Sequence, residues 1–354
     1  MKLFLECLAE GHLVCDGAMG TMLTGGIPVA YSTQELNLKA PERVKQVHDA
    51  YIAAGAHIIE TNTFGANEIS LKRFGLEDKV EEINAAGVKI AKDAAAGKNV
   101  YVAGSVGPDN GKASVEVYKR QMSALINASV DLLIVETMSY VDEALNAIKA
   151  ARSLSKDIPL IVQISCYKEF MTKNHVDVET FVRILDEQPV DAIGLNCFIG
   201  PKQTYAALEQ MRHWTTKPLT VQPNIGELSY SVQGITYTGK DHFGLYTRKF
   251  LEAGAKIIGG CCGTTPQQIK IIADVVAKHQ PGVPKPVVSI KKVTVASNLE
   301  SMLKENKPFP IIEIDPPFVG KSPEHLFSAA NALYNAGVRV FTVADNPGAV
   351  PRMD

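Results

Sequence analysis

The sequence has no run of apolar residues approaching the eighteen or so that a membrane span requires, and Glu6 interrupts the apolar start Leu3-Phe4-Leu5. It also has no signal-peptide pattern and no basic block. Lys and Arg number 36 against 38 Asp and Glu, which excludes the electrostatic footprint of a nucleic-acid or anionic-membrane binder. We therefore predict a cytoplasmic protein that binds small molecules, with no nucleic acid and no membrane as partner. A homo-oligomer is compatible with these features.

Cysteine is scarce as well. The six cysteines among 354 residues, two of them adjacent, do not form the framework of a small secreted disulfide-rich protein. Hydrophobic residues make up 46% of the chain and charged residues 21%, which is ample for a folded core. The length fits two domains of about 150 residues, or one α/β barrel of roughly 250 residues with an appendage.

Short apolar, β-branched segments recur along the chain, and stretches with helical periodicity separate them. Eight such segments are present: His12–Asp16, His57–Thr61, Val100–Ser105, Asp131–Glu136, Pro159–Ser165, Asp191–Cys197, Pro218–Gln222 and Lys256–Gly260. Among the helices between them we predict Pro41–Ala54, since proline suits a first helical turn. The strand count favours an α/β fold of the (β/α)8 TIM-barrel type over a doubly wound open sheet.

The composition changes after the last barrel helix. Residues 280–286 contain three prolines and a glycine and are typical of a semi-rigid linker. Beyond it, Pro310–Asp315, Pro323–Asn335 and Gly337–Val343 predict a βαβ fragment that is too short to build a sizeable core. We predict a barrel domain over residues 1–280, a linker over 281–300 and a short βαβ fragment over 301–354.

Polar or reactive residues stand at almost every predicted strand exit. In a parallel barrel these exits meet at one rim, where such barrels carry their chemistry. The exits hold Asp16, Thr61 with Asn62, Ser105, Glu136, Ser165, Asn196 with Cys197, Gln222 with Asn224, and Cys261 with Cys262. The pattern predicts a functional site at this rim.

Cys197, Cys261 and Cys262 come from the sixth and eighth predicted strands, and glycines flank the adjacent pair. Glycine lets the backbone turn so that two successive thiols can reach one ion. Three protein ligands with an open fourth position are the plan of a catalytic Zn²⁺ site, and thiolate ligands suit a further sulfur ligand. A thiol bound there would lose its proton and stay nucleophilic, so we predict thiol alkylation.

Other interpretations of these cysteines stay open. They could be small buried hydrophobic residues, or the adjacent pair could form a vicinal disulfide. A redox enzyme that uses the Cys261-Cys262 pair is a further alternative, which predicts activity without metal. We interpret the remaining cysteines, Cys7, Cys15 and Cys166, as core residues.

Two carboxylates, Asp16 and Glu136, stand at the first and fourth strand exits and could bind an ammonium group. Capping of a following helix, or an ion pair with a nearby lysine, explains them equally well. The small residues that follow Asp16 present backbone N–H groups, which could receive a substrate carboxylate.

Four segments together resemble the zinc-dependent homocysteine S-methyltransferase family: Asp16-Gly-Ala-Met-Gly-Thr21, Glu60-Thr-Asn-Thr-Phe64, Gly194-Leu-Asn-Cys197 and Gly259-Gly-Cys-Cys-Gly263. The resemblance spans about residues 1–280 and implies a barrel with a three-cysteine zinc site. It makes Cys197, Cys261 and Cys262 the metal ligands and catalytic residues. It implies that Asp16 and Glu136 bind the amino group of homocysteine, and that the backbone of Gly17 and Ala18 receives its carboxylate. Further rim residues in matching motifs are Thr61, Asn62 and Asn196.

The C-terminal segment resembles the opening of 5,10-methylenetetrahydrofolate reductase, through Ile312-Glu-Ile-Asp-Pro-Pro317 and Val340-Phe-Thr-Val-Ala-Asp345. Glu313 matches the acidic catalytic position of that family. Where the family pattern has aromatic residues before the paired prolines, this chain has Ile314 and Asp315. The chain thus resembles the N-terminal part of a bifunctional homocysteine S-methyltransferase and methylenetetrahydrofolate reductase. FAD would be a cofactor only with a full reductase domain.

The resemblance implies methyl transfer to the zinc-bound thiolate of homocysteine, which gives methionine. The methyl donor is either linked to 5-methyltetrahydrofolate or similar to S-methylmethionine. The alternative is a zinc- and thiol-binding module that serves as a regulatory or scaffold domain of a fused reductase.

Overall fold

A computed structural model describes residues 2–26, 30–167, 169–231, 234–238, 242–279, 311–314, 324–338 and 340–343. The chain divides into two compact units, Met1–Ile290 and Lys291–Asp354. The predicted linker over 281–300 lies outside the described residues.

The first unit contains eight parallel strands that form one sheet. In chain order they are β1 (Leu13–Val14), β2 (Ile58–Glu60), β3 (Tyr101–Val106), β4 (Leu132–Met138), β5 (Leu160–Ile164), β6 (Ala192–Asn196), β7 (Leu219–Gln222) and, after a hairpin of β8 (Glu227–Ser231) and β9 (Gly234–Thr238), β10 (Ala255–Ile258). Each strand pairs with the next one around the sheet, and β10 pairs with β1. A parallel bridge between Cys15 and Ile58 joins the first strand to the second. The predicted TIM barrel is confirmed.

Helices alternate with these strands. They are α1 (Phe4–Glu10), α2 (Met19–Thr24), α3 (Leu36–Lys39), α4 (Pro41–Ala53), α5 (Glu68–Lys72), α6 (Val80–Ala95), α7 (Val115–Asn127), α8 (Val141–Leu154), α9 (Val178–Asp186), α10 (Pro201–Met211), α11 (Phe243–Glu252) and α12 (Pro266–Lys278). Proline opens α4, as predicted, and also opens α10 and α12. In α12 the proline lies between Thr265 and Gln268, which form a capping box that satisfies free N–H groups of the first turn. Among the described helices, none is long and apolar enough to cross a membrane.

Inside the barrel, side chains alternate with period two along each strand, so residues two apart share a face. Toward the N-terminal ends of the strands this face carries Leu132 and Ile134 of β4, Ile161 of β5 and Ile58 of β2, within one buried apolar cluster. Phe4 and Leu8 of α1 belong to the same cluster, and the Phe4 ring meets Tyr101 edge-on at 5.3 Å between centroids. We call this cluster the apolar floor of the barrel.

Most of the observed strands are shorter than the predicted segments, whereas β4 is one residue longer and β3 is shifted by one residue. The first spans Leu13–Val14 instead of His12–Asp16, and β6 ends at Asn196, one residue before the predicted end. The residues that drop out lie at both ends of the strands, such as His12 at an entry and Cys197 at an exit. At the exits the chain turns into the loops that carry the polar side chains.

In the second unit, β11 (Ile311–Ile314) and β12 (Val340–Val343) form a parallel pair, and α13 (Glu324–Asn335) lies between them in sequence. This is the predicted βαβ order. The predicted strand residues Pro310 and Asp315 lie outside the described residues.

Candidate functional site

The three predicted cysteines come together at the C-terminal rim of the barrel. Their Sγ atoms all lie within 4.8 Å of one another, and those of Cys197 and Cys262 are 3.7 Å apart. None of the six cysteines forms a disulfide in this structure, so the vicinal disulfide that the sequence left open is not observed. The three thiols of the cluster are partly buried, and they are close enough to share one ion.

Cys197 reaches this position through an unusual backbone conformation. It has a φ of +60° and Phe198 has a φ of +56°, both in the left-handed region that few residues other than glycine adopt. The Ile199 amide donates to the Cys197 carbonyl at 2.7 Å, which closes a tight turn around Phe198. The ring of Phe198 lies 5.0 Å from that of Tyr167. Strain of this kind costs about 1–3 kcal/mol per residue and clusters at functional sites.

The Cys261-Cys262 segment is held by hydrogen bonds to neighbouring loops. The Cys261 amide donates to the Pro223 carbonyl at 2.8 Å, and the Cys262 carbonyl accepts from the Ile225 amide at 3.0 Å. Thr264 closes the turn, because its hydroxyl donates to the Cys261 carbonyl at 2.7 Å. Both adjacent thiols are thus fixed by the backbone of the β7 and β10 exits.

Thr264 also joins this turn to the loop after β1. Its hydroxyl accepts from the Ala18 amide at 3.2 Å. A Cβ on Gly260 would lie 2.5 Å from that hydroxyl, and one on Gly17 would lie 2.7 Å from it. The glycines in both motifs therefore permit a close approach of two loops. The sequence reasoning missed Thr264. Its position directly after the cysteine motif was the available signal.

The predicted carboxylates lie in the same part of the barrel, and both are buried. Glu136 accepts hydrogen bonds from the Ser105 hydroxyl at 2.6 Å and from the Asn196 side-chain amide at 2.9 Å. Asp16 accepts from the Glu60 backbone amide at 3.0 Å. Among the described residues, neither carboxylate has an ion-pair partner, so the predicted structural alternative of a lysine contact is not observed.

Asn196 links the carboxylates to the thiols. Its side-chain amide donates to Glu136 and lies 3.9 Å from Cys261 Sγ. Its oxygen accepts from the Thr137 amide at 2.7 Å, where Thr137 has a φ of +62°. The predicted rim position of Asn196 is therefore at the junction of the two groups.

Thr61 instead bonds to β3, and Asn62 bonds to a neighbouring loop and to α3. The Thr61 hydroxyl accepts from the Ser105 amide at 3.2 Å and lies 2.6 Å from the Thr63 hydroxyl. The Asn62 side-chain amide donates to the Thr33 carbonyl at 2.8 Å and to Asn37 at 2.9 Å. The Ala18 amide, predicted to receive a carboxylate, already donates to Thr264. The hydrogen bonds of these residues therefore connect neighbouring segments of the rim to one another.

Sequence reasoning missed a third carboxylate, Glu60. Its Oε2 accepts from the Gln222 side-chain amide at 3.3 Å, and its Oε1 is a buried atom with no hydrogen-bond partner among the described residues. Cys15, Asp16 and Glu60 form a second group whose ligand atoms lie within 4.8 Å of one another. Because Ile58 lies in the apolar floor, the period of two places Glu60 inside the barrel. The alternation of side chains along β2 could therefore have identified Glu60 from the sequence.

Burial and mutual charge shift the acids of this site together. Burial, helped by the neighbouring Cys262 and opposed by the hydrogen bonds from Ser105 and Asn196, raises the pKa of Glu136 to about 7. Burial also raises the pKa of Asp16 and of Glu60, and the charge of Glu136 adds to both shifts. Neighbouring thiols, with burial, raise the pKa of Cys261. A positive charge bound among these acids would lower their pKa values and stabilise their ionised forms.

The donors present fit a thiophilic metal. Three sulfur atoms converge. Zinc accepts sulfur ligands in proteins and usually takes four ligands, so an ion held by these three would have one position for a further ligand. Asn224, at the exit of β7, is fully buried, yet neither polar atom of its side-chain amide has a hydrogen-bond partner among the described residues. A buried amide normally finds a partner, so this one is available to a bound group.

The fold and this rim define an α/β barrel whose cysteine cluster could hold a metal ion. The family model for homocysteine S-methyltransferase matches residues 13–276. The chain therefore belongs to the homocysteine S-methyltransferase family.

Among similar proteins, a protein named methionine synthase from Mycobacterium leprae is 28% identical over 305 residues, and its namesake from Mycobacterium tuberculosis is 26% identical over 300 residues. These matches cover 78% and 77% of this chain but only 25% of either relative. The metallated form of the Escherichia coli homocysteine methyltransferase MmuM is 27% identical with a TM-score of 0.63, and the match covers 75% of this chain and 96% of that one.

Proposed function

We propose that this chain is a zinc-dependent homocysteine S-methyltransferase that forms methionine. The observation that carries the proposal is the convergence of the Cys197, Cys261 and Cys262 thiols within 4.8 Å at the barrel rim. These three residues would hold Zn²⁺. A bound zinc ion would lower the pKa of the homocysteine thiol while leaving the resulting thiolate nucleophilic.

The chain's own residues supply binding and orientation. Asp16 and Glu136 accept the ammonium of homocysteine, and their burial strengthens each contact because little water competes. The backbone around Gly17 and Ala18 receives the carboxylate, provided that the Ala18 amide exchanges its bond to Thr264. Asn196 holds Glu136 beside the thiols, and Thr61 and Asn62 brace the exit of β2.

The transfer forms one sulfur–carbon bond and breaks the bond between the methyl group and its donor, whose leaving atom keeps the electron pair. A sulfonium donor similar to S-methylmethionine leaves as a neutral thioether. A donor linked to 5-methyltetrahydrofolate leaves as an amine, which needs a proton or an intermediary. Both donors belong to the proposal, and a screen of the two decides between them.

The domain proposal follows the sequence resemblance: a methyltransferase barrel over 1–280, a linker over 281–300 and the opening of a methylenetetrahydrofolate reductase-like domain over 301–354. The parallel pairing of β11 with β12 supports the last part, since a reductase barrel would also begin with parallel strands. We expect no FAD binding from these residues alone.

Zinc stoichiometry tests the proposal. Protein purified without added metal should contain about one zinc per chain, and Cys197→Ser and Cys261→Ser should each lose the zinc and all methyl transfer. Cys7→Ser is the matched control, since Cys7 is partly buried beside Tyr101 and away from the thiol cluster. Wild-type protein that binds no zinc under reducing conditions would contradict the proposal.

A further inference from the structure

We propose that Glu60 is a substrate-positioning residue, which accepts one of the three ammonium hydrogen bonds of homocysteine beside Asp16 and Glu136. This inference rests on the proposed function and names a further residue that makes the site selective for a thiol with an amino group.

The position of Glu60 follows from the barrel geometry. Glu60 ends β2, two residues after the floor residue Ile58, so its side chain enters the barrel at the level of the rim. Gln222 of β7, across the barrel, donates to its Oε2. Gln222 in turn accepts from Gln163, whose side-chain amide also donates to Thr220 at 2.8 Å. This polar chain holds one carboxylate oxygen of Glu60, Oε2, and does not reach the other, Oε1.

The three carboxylates differ in how their oxygens are used. Both oxygens of Glu136 accept short hydrogen bonds from Ser105 and Asn196. Those of Asp16 accept from the Glu60 amide and, weakly at 3.8 Å, from the Cys15 thiol. Oε1 of Glu60 is buried and has no donor among the described residues. A buried carboxylate oxygen without a donor is costly, which indicates a place where a ligand supplies one.

An ammonium group could donate the hydrogen bond that Oε1 of Glu60 lacks, and its number of N–H bonds matches the number of carboxylates. It carries three N–H bonds and no acceptor, so three converging carboxylates can accept one bond each. Hydrogen bonds between charged partners are about twice as strong as neutral ones, and a dry site strengthens them. With Glu60 in place, the site discriminates a thiol that carries an ammonium from one that does not.

A second metal ion is the competing explanation, because Cys15, Asp16 and Glu60 also lie within 4.8 Å. The hydrogen bonding argues against it. Asp16 already uses one oxygen to accept the Glu60 amide, and the Cys15 thiol is fully buried in the apolar floor, where burial raises its pKa. A metal ligand there would have to be the deprotonated thiolate.

The test compares two thiols on zinc-loaded protein: homocysteine, and 4-mercaptobutanoate, which lacks the amino group. Calorimetry measures the affinity of each for wild type and for Glu60→Gln, which keeps the shape and removes the charge. We expect homocysteine to bind the variant roughly 10- to 100-fold more weakly, while 4-mercaptobutanoate changes less than about 3-fold. The zinc content and melting temperature of the variant should match those of wild type.

The exposed Glu252→Gln is the control and should alter neither affinity. Equal weakening of both thiols by Glu60→Gln, or no weakening of either, would overturn the inference, and so would a second metal ion that is lost in the variant. Wild-type protein that binds zinc but neither thiol would contradict the proposed function itself.

Discussion

At the N-terminal end of the barrel the inward faces of the strands carry Ile58 and Ile134, and two residues later the same strands carry Glu60 and Glu136. The backbone geometry is the same at both levels, and only the side chains differ. The apolar floor removes hydrocarbon from water and stabilises the barrel by roughly 25 cal/mol per Å² of buried apolar area. The rim does the opposite, since it buries acids with raised pKa values and unpaired polar atoms.

The comparison teaches that a two-residue step along a strand separates the part that stabilises the protein from the part that binds. TIM barrels typically have a packed interior that stabilises the fold and a functional site at the C-terminal ends of the strands. It predicts that changes in or below the middle of the barrel alter the free energy of unfolding, whereas conservative changes at the rim alter ligand affinity.

The largest effect on stability is expected at Gly194, in the middle of β6. A Cβ there would lie 2.0 Å from the Thr220 hydroxyl and 2.5 Å from the Thr220 carbonyl oxygen, so the neighbouring strand must shift. We expect Gly194→Ala to lower the free energy of unfolding by about 3 kcal/mol or more, measured by denaturant titration.

The matched control is Gly20→Ala in α2, where a Cβ meets nothing within 4 Å. It should leave stability unchanged or raise it by up to about 1 kcal/mol. If both variants unfold at the same denaturant concentration as wild type, the strands around Gly194 accommodate a Cβ without cost, and the prediction for Gly194 is wrong.

A smaller effect is expected on the pH dependence of stability, from a buried histidine that lies outside the rim. His48 of α4 is fully buried, neither ring nitrogen has a hydrogen-bond partner among the described residues, and burial lowers its pKa from 6.5 to about 4. The unfolded chain therefore binds the proton more readily below pH 6.5, so stability falls as the pH decreases toward 4. We expect His48 to contribute a loss of about 2 kcal/mol between pH 7.5 and pH 5, measured as the difference in pH dependence between wild type and a variant that lacks this histidine.

His48→Leu should remove this part of the pH dependence, whereas the exposed His213→Gln should leave it in place. Denaturant titrations at the two pH values measure the difference. An unchanged slope in His48→Leu would show that the acid sensitivity comes from groups other than His48. The rim carboxylates do not supply it, because their raised pKa values favour the folded protein as the pH falls.

The smallest effect is expected in the floor itself. Ile134→Val removes one methylene from a fully packed position and should lower the free energy of unfolding by about 1 kcal/mol. Homocysteine affinity and zinc content should stay at the wild-type values, because the substitution lies two residues below Glu136. A change in homocysteine affinity of more than about 3-fold, some 0.6 kcal/mol, would show that floor and rim are not separable.

Much of the fold could be predicted from the sequence because buried parallel strands are short apolar runs that differ sharply from helical segments. The converging cysteines could also be predicted, since strand exits meet at one rim. The exact strand ends could not, because they depend on where neighbouring strands diverge into loops, and boundaries of one or two residues carry no local signature. The left-handed conformations of Cys197 and Phe198 carry no residue signature, since glycine, which favours them, is absent at both positions.

Glu60 was missed for another reason. The sequence places it in a motif, but its function depends on which face of β2 it occupies and on Gln222 across the barrel. Side chains from distant strands decide such a contact, and a local pattern does not record it. The hydroxyl of Thr264, which joins two loops 246 residues apart in sequence, is a similar case.

The most direct test of the central claim is X-ray absorption at the zinc edge, recorded before and after homocysteine is added. The account predicts zinc with the three sulfur ligands of Cys197, Cys261 and Cys262, and one additional sulfur ligand once homocysteine is saturating. A sulfur count that does not change on addition of homocysteine, or zinc bound mainly by nitrogen and oxygen, would contradict it.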